Sequence, residues 1–186
     1  MNTTYVVVAE NGIDTFSMKT VTNRLGVSEG LIYKYFDTRE GLLFKSFITF
    51  QRDITEHIKE ETALVIDGES KDARRERIWK SYYRFLLECN YKSLFYFEYR
   101  WSYRYNEYLN MSEDGYQSYI EAIEEFSKAL LGRSTMTTVD KDVINWIVEN
   151  TGLYVKKALL GDIEKDEVTA HRIYQMIFFG ASALTD

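Results

Sequence analysis

The chain has 186 residues, 45% hydrophobic and 28% charged, with a formal net charge of −6, 15 tyrosines and no proline. That is the makeup of a globular protein of one domain, or of a small domain joined to a larger one. No run approaches the roughly 18 apolar residues a membrane-spanning helix needs, Met1-Asn2-Thr3-Thr4 lacks the basic start of a secretory signal, and the lone Cys89 excludes an internal disulfide. A cytoplasmic protein is expected.

The charge is unevenly placed. Residues 1–50 hold Lys19, Arg24, Lys34, Arg39 and Lys45 against Glu10, Asp14, Glu29, Asp37 and Glu40, five against five. The whole −6 therefore falls in residues 51–186. Bulk charge gives no support for nucleic-acid binding.

In chain order, Val6–Asn11 reads as the end of a helix stopped by Gly12. Ser17 caps a helix over Met18–Leu25, which Gly26 ends. After Val27 in the turn, Ser28 caps Glu29–Phe36, with Leu31, Ile32, Tyr35 and Phe36 on its apolar side. Asp37 or Thr38 caps a long helix carrying Leu43, Phe47, Phe50, Ile54 and Ile58 at helical spacing. A loop at Ala63–Lys71 precedes a helix over Arg74–Cys89. Residues 94–108 alternate aromatic and polar side chains like a strand, yet Phe95, Tyr99 and Tyr103, and Phe97, Trp101 and Tyr105, also lie four apart. A strand has no partner elsewhere, so helix is preferred. Asn110–Gly115 breaks the pattern and Tyr116–Leu131 resumes it. After a loop at Gly132–Thr138, Asp140 opens a helix that Gly161 ends, and Lys165–Leu184 forms the last. About nine helices and no sheet are predicted: an all-α chain with a three-helix N-terminal domain over 1–48 and a larger helical domain over 49–186.

Two short helices joined at Gly26-Val27-Ser28 have the form of a helix-turn-helix. On geometry alone the same corner serves equally as a structural bundle corner. The residues go further. Ala9-Glu10-Asn11-Gly12, Ser17-Met18-Lys19-Thr20-Val21, Leu25–Phe36 and Arg39-Glu40-Gly41-Leu42-Leu43 closely resemble the DNA-binding domain of the TetR family of bacterial regulators, over about residues 5–50. Beyond that, the likeness is architectural.

The resemblance implies a double-stranded DNA operator as partner. It places Lys19 and Thr20 near phosphates, and Ser28, Glu29, Gly30 and Leu31 at the major groove, with Gly30 admitting close approach. It sets Tyr33 and Tyr35 against the sugar-phosphate backbone, Lys34 at a base edge or phosphate, and Arg39 at a phosphate. Each has a plainer reading: Tyr35 and Phe36 as core, Glu29 as a complement to the helix dipole, Lys34 as surface. The chain departs from the family in showing only the last two turns of the first helix and no basic arm before it, which implies a truncated reading frame or reduced DNA affinity.

Trp79–Tyr108 holds 13 aromatic residues in 30. Such a stretch is core and subunit contact, or a cavity with polar tips. The resemblance implies an enclosed small-molecule inducer, with Tyr82, Tyr83, Leu86, Phe95, Tyr99, Tyr103, Tyr119, Ile123, Trp146 and Tyr154 as candidate lining. Aromatic walls favour a flat or cationic apolar compound, with Glu88 or Glu98 offsetting a positive charge. The resemblance also implies a homodimer through the last two helices, where Gly152, Ala158, Gly180, Ala181, Ser182 and Ala183 permit close packing.

No catalytic or metal-binding constellation is present: His57 and His171 stand alone, zinc spacing is absent, and neither a phosphate loop nor a nucleophile elbow occurs. No enzyme, no cofactor and no membrane partner are expected. The leading expectation is a repressor released from its operator by a small apolar or aromatic ligand. The alternative is a helical protein-interaction module of the same fold with weakened or lost DNA binding.

Overall fold

The computed structural model describes residues 1–111, 113–133 and 135–180, with side chains placed for all of these except 108–111 and 114. The described residues are all-α, as expected: ten α-helices, one π-helical turn and no strand. The helices are α1 Asn2–Asn11, α2 Met18–Leu25, α3 Glu29–Phe36, α4 Arg39–Ala63, α5 Lys71–Glu88, α6 Asn90–Arg100, α7 Tyr103–Met111, α8 Glu113–Phe126, α9 Thr138–Leu160 and α10 Glu167–Phe179. The π turn, Ser127–Leu131, follows α8 directly. No helix is long and apolar enough to cross a membrane among the described residues.

The chain forms two compact units. One takes Met1–Arg52 together with Tyr91–Tyr119; the other takes Asp53–Asn90 and the chain from Ile120 onward. In the first, α1 buries Tyr5, Val7 and Val8, α4 buries Leu42, Leu43, Phe47 and Phe50, and α6 buries Phe95, Tyr96 and Tyr99. The Phe47 ring stacks on Tyr96 at 4.9 Å and on Tyr99 at 4.7 Å. The Tyr5 hydroxyl donates to the Ser46 carbonyl at 3.0 Å, so a buried phenol is satisfied within its own unit. In the second, Ile78, Trp79, Tyr82, Tyr83 and Leu86 of α5 are sealed from solvent, as are Ile144, Ile147 and Val155 of α9. The Trp79 indole N–H donates to Thr151 Oγ1 at 3.0 Å, and that hydroxyl donates on to the Ile147 carbonyl at 2.8 Å.

Four expectations about elements change. The first helix starts at Asn2 and not near Val6, because Thr4 and Tyr5 are already buried on it. Residues 94–108 are helical, but α6 and α7 are separate helices broken at Trp101-Ser102. The Ser102 hydroxyl donates back to the Tyr99 carbonyl at 2.7 Å, a local bond that competes with the helical ladder. Within the break expected over Asn110–Gly115, α7 runs to Met111 and α8 starts at Glu113, and residue 112 lies outside the described residues. The last helix begins at Glu167, because Asp166 takes the extended cap conformation and accepts from the Thr169 N–H at 2.7 Å. Ala181 and Leu184, expected on that helix, lie outside the described residues.

Candidate nucleic-acid interface

The corner is built from local signals. Ser17 is extended, and its Oγ accepts from the Thr20 N–H at 3.1 Å, starting α2. Gly26 closes that helix at φ 65°, a left-handed conformation that costs a side-chain-bearing residue energy. Ser28 sits at the N-cap of α3 in extended geometry, but its hydroxyl makes no capping bond and stays exposed.

Of the eight residues of α3 only Ile32 is buried, and Phe36 is half-buried. Leu31 is 45% exposed, Tyr33 41% and Tyr35 70%. At about 100° per residue, Gly30 and Lys34 stand opposite Ile32, with Leu31 and Tyr33 on either flank. The buried side anchors the helix, and the outward ridge is Gly30-Lys34.

What holds that ridge in place is the junction with α4. Asp37 adopts φ 51°, an uncommon conformation for a non-glycine residue. Thr38 Oγ1 accepts from the Gly41 N–H at 2.9 Å. A Cβ on Gly41 would strike the Phe36 carbonyl, so glycine is required there. Arg39 reaches back across the fold. Its Nε donates to the Phe16 carbonyl and its Nη2 to the Ile13 carbonyl, both at 2.8 Å, while Nη1 meets Glu40 Oε1 at 2.8 Å. Burial pushes the Glu40 carboxyl up, but hydrogen bonding and charge from Arg39, with Arg104, leave it below its usual range.

The structure leaves most of the sequence candidates open to solvent, with two qualifications. Lys19, Ser28, Glu29, Gly30, Leu31, Tyr33, Lys34 and Tyr35 are exposed. Thr20 is half-buried and shares a hydroxyl contact with Ser17 at 2.8 Å. Arg39 is half-buried and engaged with two carbonyls, a clip that nothing in the sequence announced. Arg24 pairs with Glu10. Lys19 and Lys34 make no ion pair among the described residues.

The ten ligand candidates divide between the two units. Phe95 and Tyr99 are core of the first unit, where Tyr119 is half-buried and Tyr103 is 62% exposed. Tyr82, Tyr83, Leu86 and Ile123 are core of the second unit. Tyr82 meets Phe126 edge-on at 5.0 Å, and Tyr83 stacks on Trp79 at 5.3 Å. Burial pushes the Tyr83 hydroxyl up to about 12. Trp146 is 49% exposed, and Tyr154 is half-buried with its hydroxyl 3.7 Å from Met176 Sδ. Glu88 is exposed and Glu98 half-buried. An open surface hollow of about 350 Å³ on the second unit is lined by Ala158–Gly161 and Ile163–Lys165, none of them a candidate.

A second exposed face lies on α9. Val139, Val143, Trp146, Leu153 and Leu160 are 68, 38, 49, 43 and 62% exposed. With Asn150 and Lys157 they fill a continuous 4-3 spacing, the seven-residue repeat by which helices pack on one another. On α10, Val168 and Phe179 are also more than half exposed.

Residues 1–45 match the family model described as bacterial regulatory proteins, tetR family. No curated protein matches the chain significantly. A TetR family transcription regulator from Marinobacter aquaeolei VT8 shares 17% identity, covering 95% of this chain and 90% of its own, at a TM-score of 0.66. A TetR-like transcriptional regulator from Rhodococcus sp. RHA1 shares 16% identity, covering 97% and 92%, at 0.64. A second Rhodococcus sp. RHA1 TetR regulator, also at 16%, covers 97% and 93% at 0.57. The first quarter of the chain thus carries the sequence signature of the tetR family of bacterial regulatory proteins, and the chain as a whole has the fold of TetR-family transcription regulators.

Proposed function

We propose that this chain is a DNA-binding transcriptional regulator that acts as a homodimer: a repressor released from its operator when a small apolar or aromatic molecule binds the helical second domain. The observation that carries the reading is α3. It is a helix anchored by one buried side chain, clipped through its junction by Arg39, and otherwise turned outward. A helix with that exposure suits the major groove, where its N-terminal half meets base edges. Lys19, Ser28, Tyr33, Lys34 and Tyr35 supply the phosphate and sugar contacts that fix register, and Glu29, Gly30 and Leu31 face the bases. Thr20 supports the same surface through the α2 cap, and Arg39 acts by positioning.

The α9 stripe supports the dimer. An apolar seven-residue repeat exposed along a whole helix is covered best by the same stripe on a second copy, with α10 alongside. Two copies double the phosphate contacts of a head that carries few unpaired cations. The second domain's Tyr82, Tyr83, Leu86 and Ile123 remain the ligand contacts of choice, because they combine apolar walls with buried hydroxyls.

The experiment is a gel shift of full-length protein on the DNA upstream of its own gene. A sequence-specific, salt-sensitive shift is expected. Its absence refutes the reading and favours a protein-interaction module of the same fold, to which the even charge of residues 1–50 points.

A further inference from the structure

Gly30 in the first turn of α3 and Gly41 in the first turn of α4 differ in what the fold asks of them. At Gly41 there is no room for a side chain. At Gly30 there is nothing within 4 Å of where a Cβ would stand, and the backbone is ordinary right-handed helix. Glycine is the poorest helix former after proline, because it loses the most backbone freedom on folding. The chain therefore carries a destabilising residue in the first turn of α3 with no internal cause. Gly30 stands opposite the buried Ile32, on the ridge that projects farthest outward. An outside surface approaching the helix backbone more closely than a methyl group allows would favour glycine there.

Chemistry narrows what that surface presents. α3 reads Glu-Gly-Leu-Ile-Tyr-Lys-Tyr-Phe. It lacks Arg, Asn and Gln, and Lys34, its one side chain able to grip a guanine edge with two hydrogen bonds, stands a full turn beyond Gly30. Beside Gly30 it exposes an aliphatic side chain, Leu31, at 45%. The apolar group offered in the major groove is the C5-methyl of thymine. We infer that the notch at Gly30, walled by Leu31, receives the thymine methyl of each operator half-site, making Gly30 a specificity determinant by virtue of the side chain it lacks. The inference rests on the DNA-binding reading above.

The test starts from duplexes that full-length protein selects out of a randomised DNA library. Each thymine of the selected half-site is then replaced by uracil, which removes only the methyl group. At one thymine per half-site the replacement should weaken wild-type binding by roughly tenfold. Gly30→Ala should bind the thymine duplex at least as poorly as wild type binds the uracil one, lose no further affinity with uracil at that position because its own methyl fills the notch, and melt no lower than wild type. Wild-type binding indifferent to every replacement overturns the assignment. So does a Gly30→Ala protein as sensitive as wild type at that thymine, or one that melts lower. Failure to select any duplex overturns the DNA-binding reading itself.

Discussion

Two of the helices that expose apolar side chains, α3 and α9, do so in different ways. On α3 the exposed rings, Tyr33 and Tyr35, end in hydroxyls, and Lys34 stands between them. On α9 the exposed Val139, Val143, Trp146, Leu153 and Leu160 recur every three or four residues over the 23 residues of the helix, and only Asn150 and Lys157 interrupt them. A ring tipped with a hydroxyl can lie along a sugar and donate to a phosphate. A stripe of valine and leucine has no such use and is buried only by another apolar surface. The backing differs too. α3 is short and depends on a clip from α4. α9 is long and secures itself, with Thr137 and Asp140 bonding each other's backbone in a capping box and Arg133 paired to Asp140. On the proposed reading, exposed apolar area is two signals here, one for a polar polymer and one for a second helix.

The contrast breaks most readily on α9. Trp146→Glu combined with Leu153→Glu should leave each protomer folded, because both positions are exposed, yet abolish self-association. An unpaired charge buried in an interface costs roughly 3–5 kcal/mol, so sedimentation velocity should report a monomer, and operator affinity should fall at least about a hundredfold. A double variant that stays dimeric would place the seam elsewhere. Next in size is the clip. Arg39→Met removes two charge-assisted bonds to the Phe16 and Ile13 carbonyls. A loss of about 2 kcal/mol is expected, read as roughly thirtyfold faster hydrogen exchange in α2 and α3 with α9 unaffected.

Smaller effects sharpen the same division. Lys34→Ala should weaken DNA binding by roughly tenfold and reduce the salt slope of log affinity by about 1 per protomer, leaving dimerisation untouched. Asp140→Asn should lower the melting temperature by a few degrees at neutral pH without altering DNA specificity. Hydrogen bonds from the Thr137 backbone and hydroxyl, with the Arg133 charge, hold the folded Asp140 carboxyl below its ordinary 3.8. The aspartate therefore stabilises fully above that value and loses its contribution as pH falls through the depressed folded pKa. Melting curves of wild type and variant should converge in acid.

The sequence made some of this legible and hid the rest for physical reasons. The bounds of α2 and α3 were readable to the residue because Ser17, Gly26 and Ser28 are short-range punctuation. The fold class and family signature followed from periodicity and from residues near the corner. The break at Trp101-Ser102 was hidden because the four-residue aromatic spacing runs straight through it, and only a serine hydroxyl turning back on a carbonyl ends the helix. The π turn at Ser127–Leu131 was hidden because an apolar stripe looks alike at either pitch. The aromatic run from Trp79 to Tyr108 read as core and subunit contact or as a cavity, and its division between two units depends on long-range packing that no local spacing encodes. Arg39 read as a phosphate contact; that it spans to carbonyls 23 and 26 residues upstream needed coordinates.

That arginine closes the chain between Ile13 and Arg39 into a ring, and α2, the turn and α3 all lie inside it. While the fold holds, this closure ties together the two ends of the segment that carries the corner. The residues proposed to read DNA and the residue that shuts the ring are therefore different ones. Glu29, Leu31, Lys34 and their neighbours are free to drift while the closure stays shut. Such a protein can acquire a new operator by surface substitution alone, with its architecture inherited intact.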